Sequence, residues 1–98
     1  MHAKRPKKHQ RLGELLTEKR KEKNITQWEA GQHLGLGSSQ YVSNFERGLC
    51  EPSIEHAVIL AELYDIPRKQ IYDILMDAYE AKIHEKIFAP VKHAKSRK

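Results

Sequence analysis

The chain has 98 residues, of which 39% are hydrophobic and 32% are charged, and its formal net charge is +5. This length supports one domain around a single modest core, and the chain contains neither a signal-peptide pattern nor an apolar run approaching the ~20 residues of a membrane span. The lone cysteine, Cys50, cannot form an internal disulfide and fits a reducing compartment. The basic balance favours an acidic partner, most simply nucleic acid, so we expect a cytoplasmic protein that is nucleoid-associated through DNA.

Positive charge is concentrated at both ends of the chain. Residues 1–23 carry nine Lys and Arg against three Glu, and residues 90–98 carry four basic residues and no acidic one. Because these ends have little apolar content, we predict a basic flexible arm over residues 1–9 and a basic flexible tail over residues 89–98, flanking a domain over residues 10–88. The two ends either contact DNA phosphates or only increase solubility.

Hydrophobic periodicity predicts an all-α fold with five helices and no strand. The first, second, third and fifth helices are predicted over about residues 9–23, 27–34, 39–47 and 68–87. The fourth follows its N-cap Ser53 and ends before Pro67, because a residue that precedes proline is biased out of the α region. The residues predicted to face the core are Leu12, Leu15 and Leu16 in the first helix and Ile54, Ala57, Val58, Leu60 and Ala61 in the fourth.

The most informative segment begins at Thr26 and is predicted to form two short helices joined by a glycine turn. Thr26 is a favourable N-cap, and Glu29 three residues later completes a capping box. Gly35 ends the first of the two helices, because glycine adopts positive φ without steric cost. Either Ser38 or Ser39 then caps the next helix.

In the third helix, Val42 and Phe45 are three residues apart and share one face, which we predict to be buried. Small polar side chains, among them Gln40, Ser43 and Asn44, lie largely outside that face. A DNA major groove admits one α-helix, and a glutamine near its beginning can make a bidentate contact to adenine. The alternative interpretation is that these residues form an ordinary solvated surface.

Together these motifs resemble the helix-turn-helix domain of phage repressors, of the Cro/cI or XRE family. The resemblance rests on RKEKNITQ at residues 20–27, the turn at Gly35, VSNFERG at residues 42–48 and EPS at residues 51–53. It covers roughly residues 12–75. Each motif alone is weak, but their order and spacing together are fairly specific.

Two features depart from the family pattern. The turn before the third helix is one residue longer than the family norm, and Gly31 replaces the usual alanine where two helices approach closely. Glycine preserves the close approach, although within a helix it costs about 1 kcal/mol relative to alanine.

The resemblance implies a sequence-specific double-stranded DNA-binding transcriptional regulator, favoured as a repressor that binds an inverted repeat as a homodimer with the third helix in the major groove. The residues expected to bind DNA are Gln27, Ser38, Ser39, Gln40, Tyr41, Ser43, Asn44 and Arg47. The resemblance also implies a structural ion pair between Arg20 and Glu46, which would tie the first helix to the end of the third. The alternative function is a protein-interaction adaptor or an antitoxin component that uses the same fold.

The fifth helix is longer than a minimal domain of this family needs. Its early apolar residues are predicted to close the core, and its continuation is predicted to form a dimer interface. The interface residues are Ile74, Ala78, Ala81, Ile83 and Ile87. The alternatives are that this stripe only completes the monomer core, or that its exposed end docks a partner protein.

Trp28, the only tryptophan, lies at the second position of the second predicted helix. Packing over a neighbouring helix is favoured over stacking on the DNA backbone or anchoring a partner.

No residue pattern supports catalysis. The six histidines form no zinc-binding array, and the turn at Gly35 and Gly37 lacks the preceding strand and third glycine of a dinucleotide-binding loop. We therefore expect no enzymatic activity, no metal and no cofactor.

Overall fold

The computed structural model describes residues 8–91, and this part of the chain folds into five α-helices without a strand. The helices are α1 (Lys8–Glu22), α2 (Gln27–His33), α3 (Gln40–Glu46), α4 (Ile54–Leu63) and α5 (Arg68–Phe88). The all-α prediction is confirmed. Most of the predicted N-terminal arm and C-terminal tail lies outside the described residues, although Lys8 and His9 of the predicted arm belong to α1.

The first four helices all end with the same hydrogen-bonding motif. The second residue past the helix adopts positive φ, and the N–H of the residue after it donates to a carbonyl five residues earlier. The residues with positive φ are Asn24, Gly35, Gly48 and Asp65. The closing N–H···O distances are 3.2 Å from Ile25 to Arg20, 3.0 Å from Leu36 to Gly31, 2.9 Å from Leu49 to Asn44 and 2.8 Å from Ile66 to Ala61. Each helix therefore stops at a defined residue, and the chain reverses within a short connection.

Side chains cap the beginnings of two helices as predicted. The Glu29 N–H donates to Thr26 Oγ1 at 3.0 Å, and the Thr26 N–H donates to Glu29 Oε1 at 2.9 Å, so the capping box of α2 is complete. Ser53 accepts from the His56 N–H at 3.1 Å and caps α4. These contacts satisfy backbone donors that the first turn of a helix leaves free.

The core lies between α1 and the other helices. Helix α1 packs against both α3 and α5, α2 packs against α3 and α4, and α4 packs against α5. The largest fully buried side chains include Leu12, Leu16, Val42, Leu60 and Tyr64. Burial of each large aliphatic side chain contributes about 1.5–3 kcal/mol, so α3 is held by its apolar face against α1 and α2.

The predicted buried face of α4 is wrong at two positions. Ile54 and Val58 are exposed, whereas Ala57, Leu60 and Ala61 are buried. Leu60 is two residues from Val58 and therefore points to nearly the opposite side of the helix. Because Leu60 faces the core, Val58 faces away from it.

Two glycines allow close backbone contacts. A Cβ atom at Gly13 would lie 2.5 Å from the Glu46 carbonyl oxygen, so α1 lies directly against the end of α3. A Cβ atom at Gly31 would lie 2.2 Å from the carbonyl oxygen of Ser38 in the turn. The turn before α3 therefore folds its backbone over a position in α2 that the side chain of alanine would fill.

Candidate nucleic-acid interface

Helix α3 has a buried apolar face and an exposed polar face. Val42 and Phe45 are buried against the other helices, which fixes how α3 is rotated about its axis. Gln40 and Arg47 are exposed and Asn44 is half-buried, at spacings that place all three on one side of the helix. A row of polar side chains therefore follows the outer face of α3.

The turn that precedes α3 depends on backbone conformation. Gly35 has φ 74° and Gly37 has φ 70°, and a Cβ atom added at either would meet nothing within 4 Å. Glycine is favoured there because side chains disfavour this conformation, whatever space is available. The two left-handed residues redirect the chain from the end of α2 to the start of α3.

Hydrogen bonds join the polar residues of α3 to one another. The Nε2 group of Gln40 donates to Asn44 Oδ1 at 3.0 Å, and Nη2 of Arg47 donates to the same oxygen at 3.2 Å. Asn44 therefore holds the side chains one turn before it and one turn after it. These hydrogen bonds restrict the rotamers of Gln40, Asn44 and Arg47, which would otherwise be independent of one another.

The serines and Tyr41 border this row. Ser38 Oγ accepts from the Gln40 N–H at 3.2 Å, whereas Ser39, at the N-cap position, forms no side-chain cap. Of the two candidate capping serines, Ser38 is therefore the one whose side chain accepts from a free backbone N–H at the start of α3. Ser39 and Ser43 are half-buried and Tyr41 is exposed, all within or just before α3.

Arg20 and Glu46 lie together at the C-terminal end of α3. Arg20 Nε is 2.6 Å from Glu46 Oε2, and Arg20 Nη2 is 3.1 Å from Glu46 Oε1, which is a bidentate pair. The two side chains are only 11% and 5% exposed. The hydrogen bond to Glu46 raises the pKa of the Arg20 guanidinium, and burial opposes this rise. The pair joins α1 to the end of α3.

Gln27 belongs to the same network. Its Nε2 group donates to Glu46 Oε1 at 2.9 Å, while Arg20 Nη1 donates to the Ile25 carbonyl at 2.8 Å. The beginning of α2 is therefore tied to the ion pair. Sequence reasoning assigned Gln27 to DNA binding alone and missed this contact, which joins residues 19 positions apart.

Tyr64 lies beside the ion pair and was not predicted. Its side chain is fully buried, and its hydroxyl oxygen has no hydrogen-bond partner among the described residues. Burial raises the pKa of this phenol far above its usual range, and the negative charge of Glu46 raises it further. No local sequence pattern distinguishes this tyrosine from an exposed one.

Trp28, which was predicted to pack over a neighbouring helix, lies largely at the surface. It is 57% exposed near the beginning of α2, so much of its ring is accessible at the surface. The reason is its position in the first turn of a short helix, where Ala30 and Gly31 provide the buried contact instead.

The predicted dimer residues on α5 fall into two groups. Ala78 is 1% exposed and Ile74 packs against the core, so the same chain already covers them. Ala81 is half-buried, whereas Ile83 and Ile87 are 58% and 66% exposed. Ala78 is therefore corrected from the predicted interface to the monomer core, because the same chain already buries its side chain.

Two exposed apolar residues outside the predicted interface, Tyr72 and Met76, lie on the same side of α5 as Ile83 and Ile87. The four residues are spaced by four, seven and four positions, which places them in one stripe. We call Tyr72, Met76, Ile83 and Ile87 the α5 stripe.

Within the described part of the chain, no helix is both long enough and apolar enough to cross a membrane. Over the same residues, no group of three or more His, Cys, Asp or Glu side chains could hold a metal ion.

The fold and the polar face of α3 define a helix-turn-helix protein. A family model described as helix-turn-helix matches residues 16–71, which is more than half of the chain. The chain belongs to this family, of the XRE type, and is a DNA-binding transcription regulator. No curated protein and no solved structure matches the chain.

Proposed function

We propose that this protein is a repressor that binds an inverted repeat in double-stranded DNA as a homodimer, with α3 in the major groove. The observation that carries the proposal is the ordered polar row on the exposed face of α3. Because the opposite face of α3 is buried, the helix can enter a groove only with the side that carries this row. A major groove about 12 Å wide admits one helix of this kind.

The row supplies base contacts and its borders supply phosphate contacts. Gln40 and Asn44 carry amides that can hydrogen bond to base edges. Arg47, at the far end of the row, is the proposed contact to a phosphate. The remaining proposed backbone contacts are those of Gln27, Ser38, Ser39, Tyr41 and Ser43. Gln27 retains a second amide hydrogen for such a contact, because only one is used toward Glu46.

Charge favours DNA on the side of α1 and disfavours it along α5. The last turn of α1 carries Lys19 and Lys21, and Lys23 follows it, whereas the charge of Arg20 in the same turn is neutralised by Glu46. Residues 51–89 carry eight acidic and four basic residues. We therefore propose that α5 lies away from the DNA, and that the basic ends of the chain add salt-sensitive attraction.

The α5 stripe is the proposed dimer contact. Its four side chains are exposed and apolar, and they extend along α5 beyond the part that covers the core. Pairing of two copies about a two-fold axis would bury both stripes and place two α3 helices on the same DNA face. Half-sites would then be about 34 Å apart, which is one turn of the duplex. We propose that the dimer represses transcription by occupying this site, and that it acts in the cytoplasm, associated with the nucleoid through DNA.

Selection from a random duplex library at near-physiological salt tests the proposal. We expect enrichment of an inverted repeat whose half-sites are centred about one turn apart. Gln40→Ala and Asn44→Ala should each lose discrimination at one base pair of a half-site, whereas Gln70→Ala on exposed α5 should leave the enriched site unchanged. Bulk binding that weakens with salt, without enrichment, would contradict the proposal and favour an adaptor.

Placing the selected site over a promoter distinguishes a repressor from an activator. We expect the native protein to lower transcription in a purified system, and the Gln40→Ala protein to lower it less at the same concentration. Increased transcription would contradict the repressor assignment but not the DNA-binding proposal.

A further inference from the structure

The hydrogen bonds along α3 have a fixed direction. Arg47 Nη2 lies 3.2 Å from one terminal atom of the Asn44 amide, and a guanidinium has donors but no acceptor. That atom must therefore be the Asn44 oxygen, because the amide nitrogen would oppose one donor with another. The chemistry of Arg47 thus decides the orientation of the Asn44 amide.

This orientation determines what Asn44 can offer to DNA. Its oxygen accepts from Arg47 on one side and from Gln40 Nε2, at 3.0 Å, on the other. Its nitrogen has no acceptor among the described residues. Asn44 therefore presents two donors to a base and keeps its acceptor within the row.

Gln40 retains both a free hydrogen-bond acceptor and a free donor. It uses one amide hydrogen toward Asn44, which leaves its oxygen and its second amide hydrogen available. Adenine presents a donor at N6 and an acceptor at N7, which an amide with a free oxygen and a free N–H can match. Asn44 cannot make that contact unless it breaks its bonds within the row.

We infer that the two amides read different bases: Gln40 pairs with adenine, and Asn44 donates to a base that offers only acceptors. Guanine, with O6 and N7, suits Asn44 best, and thymine O4 is second. Cytosine is rejected because its major-groove group is a donor, and adenine is disfavoured because N6 opposes the Asn44 donors. The inference rests on the proposed docking of α3 in the major groove and deepens it by naming the bases.

Substitution of Arg47 tests whether this residue sets the specificity of Asn44. Library selection with the native protein should enrich guanine over adenine at the Asn44 position by about ten-fold or more. Arg47→Lys keeps a donor-only side chain and should preserve that preference. Arg47→Met removes the donor, so Asn44 can turn its oxygen toward DNA, and adenine should become as frequent as guanine.

Asn44→Asp provides an independent test. The aspartate keeps an oxygen for Gln40 and Arg47 but replaces the outward donors with an acceptor, so preference should move from guanine to cytosine by about ten-fold. The adenine read by Gln40 should not change. A thermal melt of each variant establishes that it is folded, since the three side chains lie outside the core.

The outcomes separate the inference from the proposed function. Enrichment of adenine at both positions by the native protein, or retention of guanine by the Asn44→Asp protein, would overturn the inference while leaving sequence-specific binding intact. If neither the native protein nor any variant enriches a sequence, the proposed function fails and the inference falls with it.

Discussion

At the scale of single residues, Glu46 connects three helices. It accepts from Arg20 in α1 and from Gln27 at the start of α2, while it ends α3 itself. Its side chain is nearly inaccessible to solvent, so water cannot replace a missing partner without rearrangement. A buried ion pair adds little net stability relative to apolar residues, but removal of one member leaves an uncompensated charge.

Substitution of Glu46 by alanine should therefore destabilise the fold strongly. We expect the free energy of unfolding to fall by about 3–5 kcal/mol, because the Arg20 guanidinium would remain buried without its carboxylate. Urea denaturation followed by circular dichroism measures the change. Glu62→Ala is the matched control, since its pair with Arg68 is exposed and should contribute little. An unchanged midpoint for Glu46→Ala would show that the pair is not structural.

Removal of the Tyr64 hydroxyl should not destabilise the fold, although Tyr64 lies beside the same ion pair. Its hydroxyl is buried without a partner among the described residues, so removing it deletes a polar group that gains no hydrogen bond. We expect Tyr64→Phe to keep or raise the free energy of unfolding, with a change of at most about 1 kcal/mol. A loss of more than that in calorimetry would mean that the hydroxyl is bonded in solution.

The candidate site could be predicted from the sequence only in part. Helical spacing alone predicts that Val42 and Phe45 are buried and that the polar residues of α3 lie on another face. The structure shows this arrangement. The bond between Gln27 and Glu46 could not be predicted, because it depends on how α2 and α3 meet rather than on any local pattern. The directions of the hydrogen bonds to Asn44 likewise required the positions of all three side chains.

At the scale of helices, Gly31 sets how closely the turn can approach α2. Intrinsic helix propensity favours alanine at this position by about 1 kcal/mol, but its Cβ atom would lie 2.2 Å from the Ser38 carbonyl oxygen. Because that oxygen belongs to the backbone, the turn itself must move.

We expect the contact at Gly31 to outweigh helix propensity, so Gly31→Ala should lower the free energy of unfolding by about 1–3 kcal/mol. Chemical denaturation measures this change in the free energy of unfolding. Gln32→Ala, on the exposed face of α2, is the control and should be neutral or slightly stabilising. A stabilised Gly31→Ala protein would show that the turn can shift without cost.

Helix ends were easier to predict than helix faces. Asparagine and glycine mark the ends of α1 to α3 because they tolerate positive φ, and proline marks the end of α4 because it disfavours a helix at the preceding residue. The face of α4 was mispredicted because this helix is apolar on several sides, with Ile54, Val58 and Ile59 outside the core. Periodicity cannot choose among apolar faces, and only packing against α5 and α2 does so.

At the scale of the whole molecule, the α5 stripe is predicted to join two copies. Ile83→Glu should convert the dimer to a monomer, because the carboxylate would lose hydration when the stripes meet. Sedimentation at several protein concentrations measures the association. Gln70→Glu adds the same charge on another side of exposed α5 and should leave the dimer intact. A native protein that is monomeric at concentrations where it binds DNA would contradict the proposed interface.

The network around Glu46 also has a thermodynamic consequence for recognition. Helix α3 has seven residues, and ordering them only upon contact with DNA would oppose binding by roughly 7–14 kcal/mol of backbone entropy. Since the network and the core already hold α3 in place, that entropy is lost when the chain folds and not when it binds. The free energy of the protein–DNA contacts is then available for affinity, and association does not wait for a helix to form.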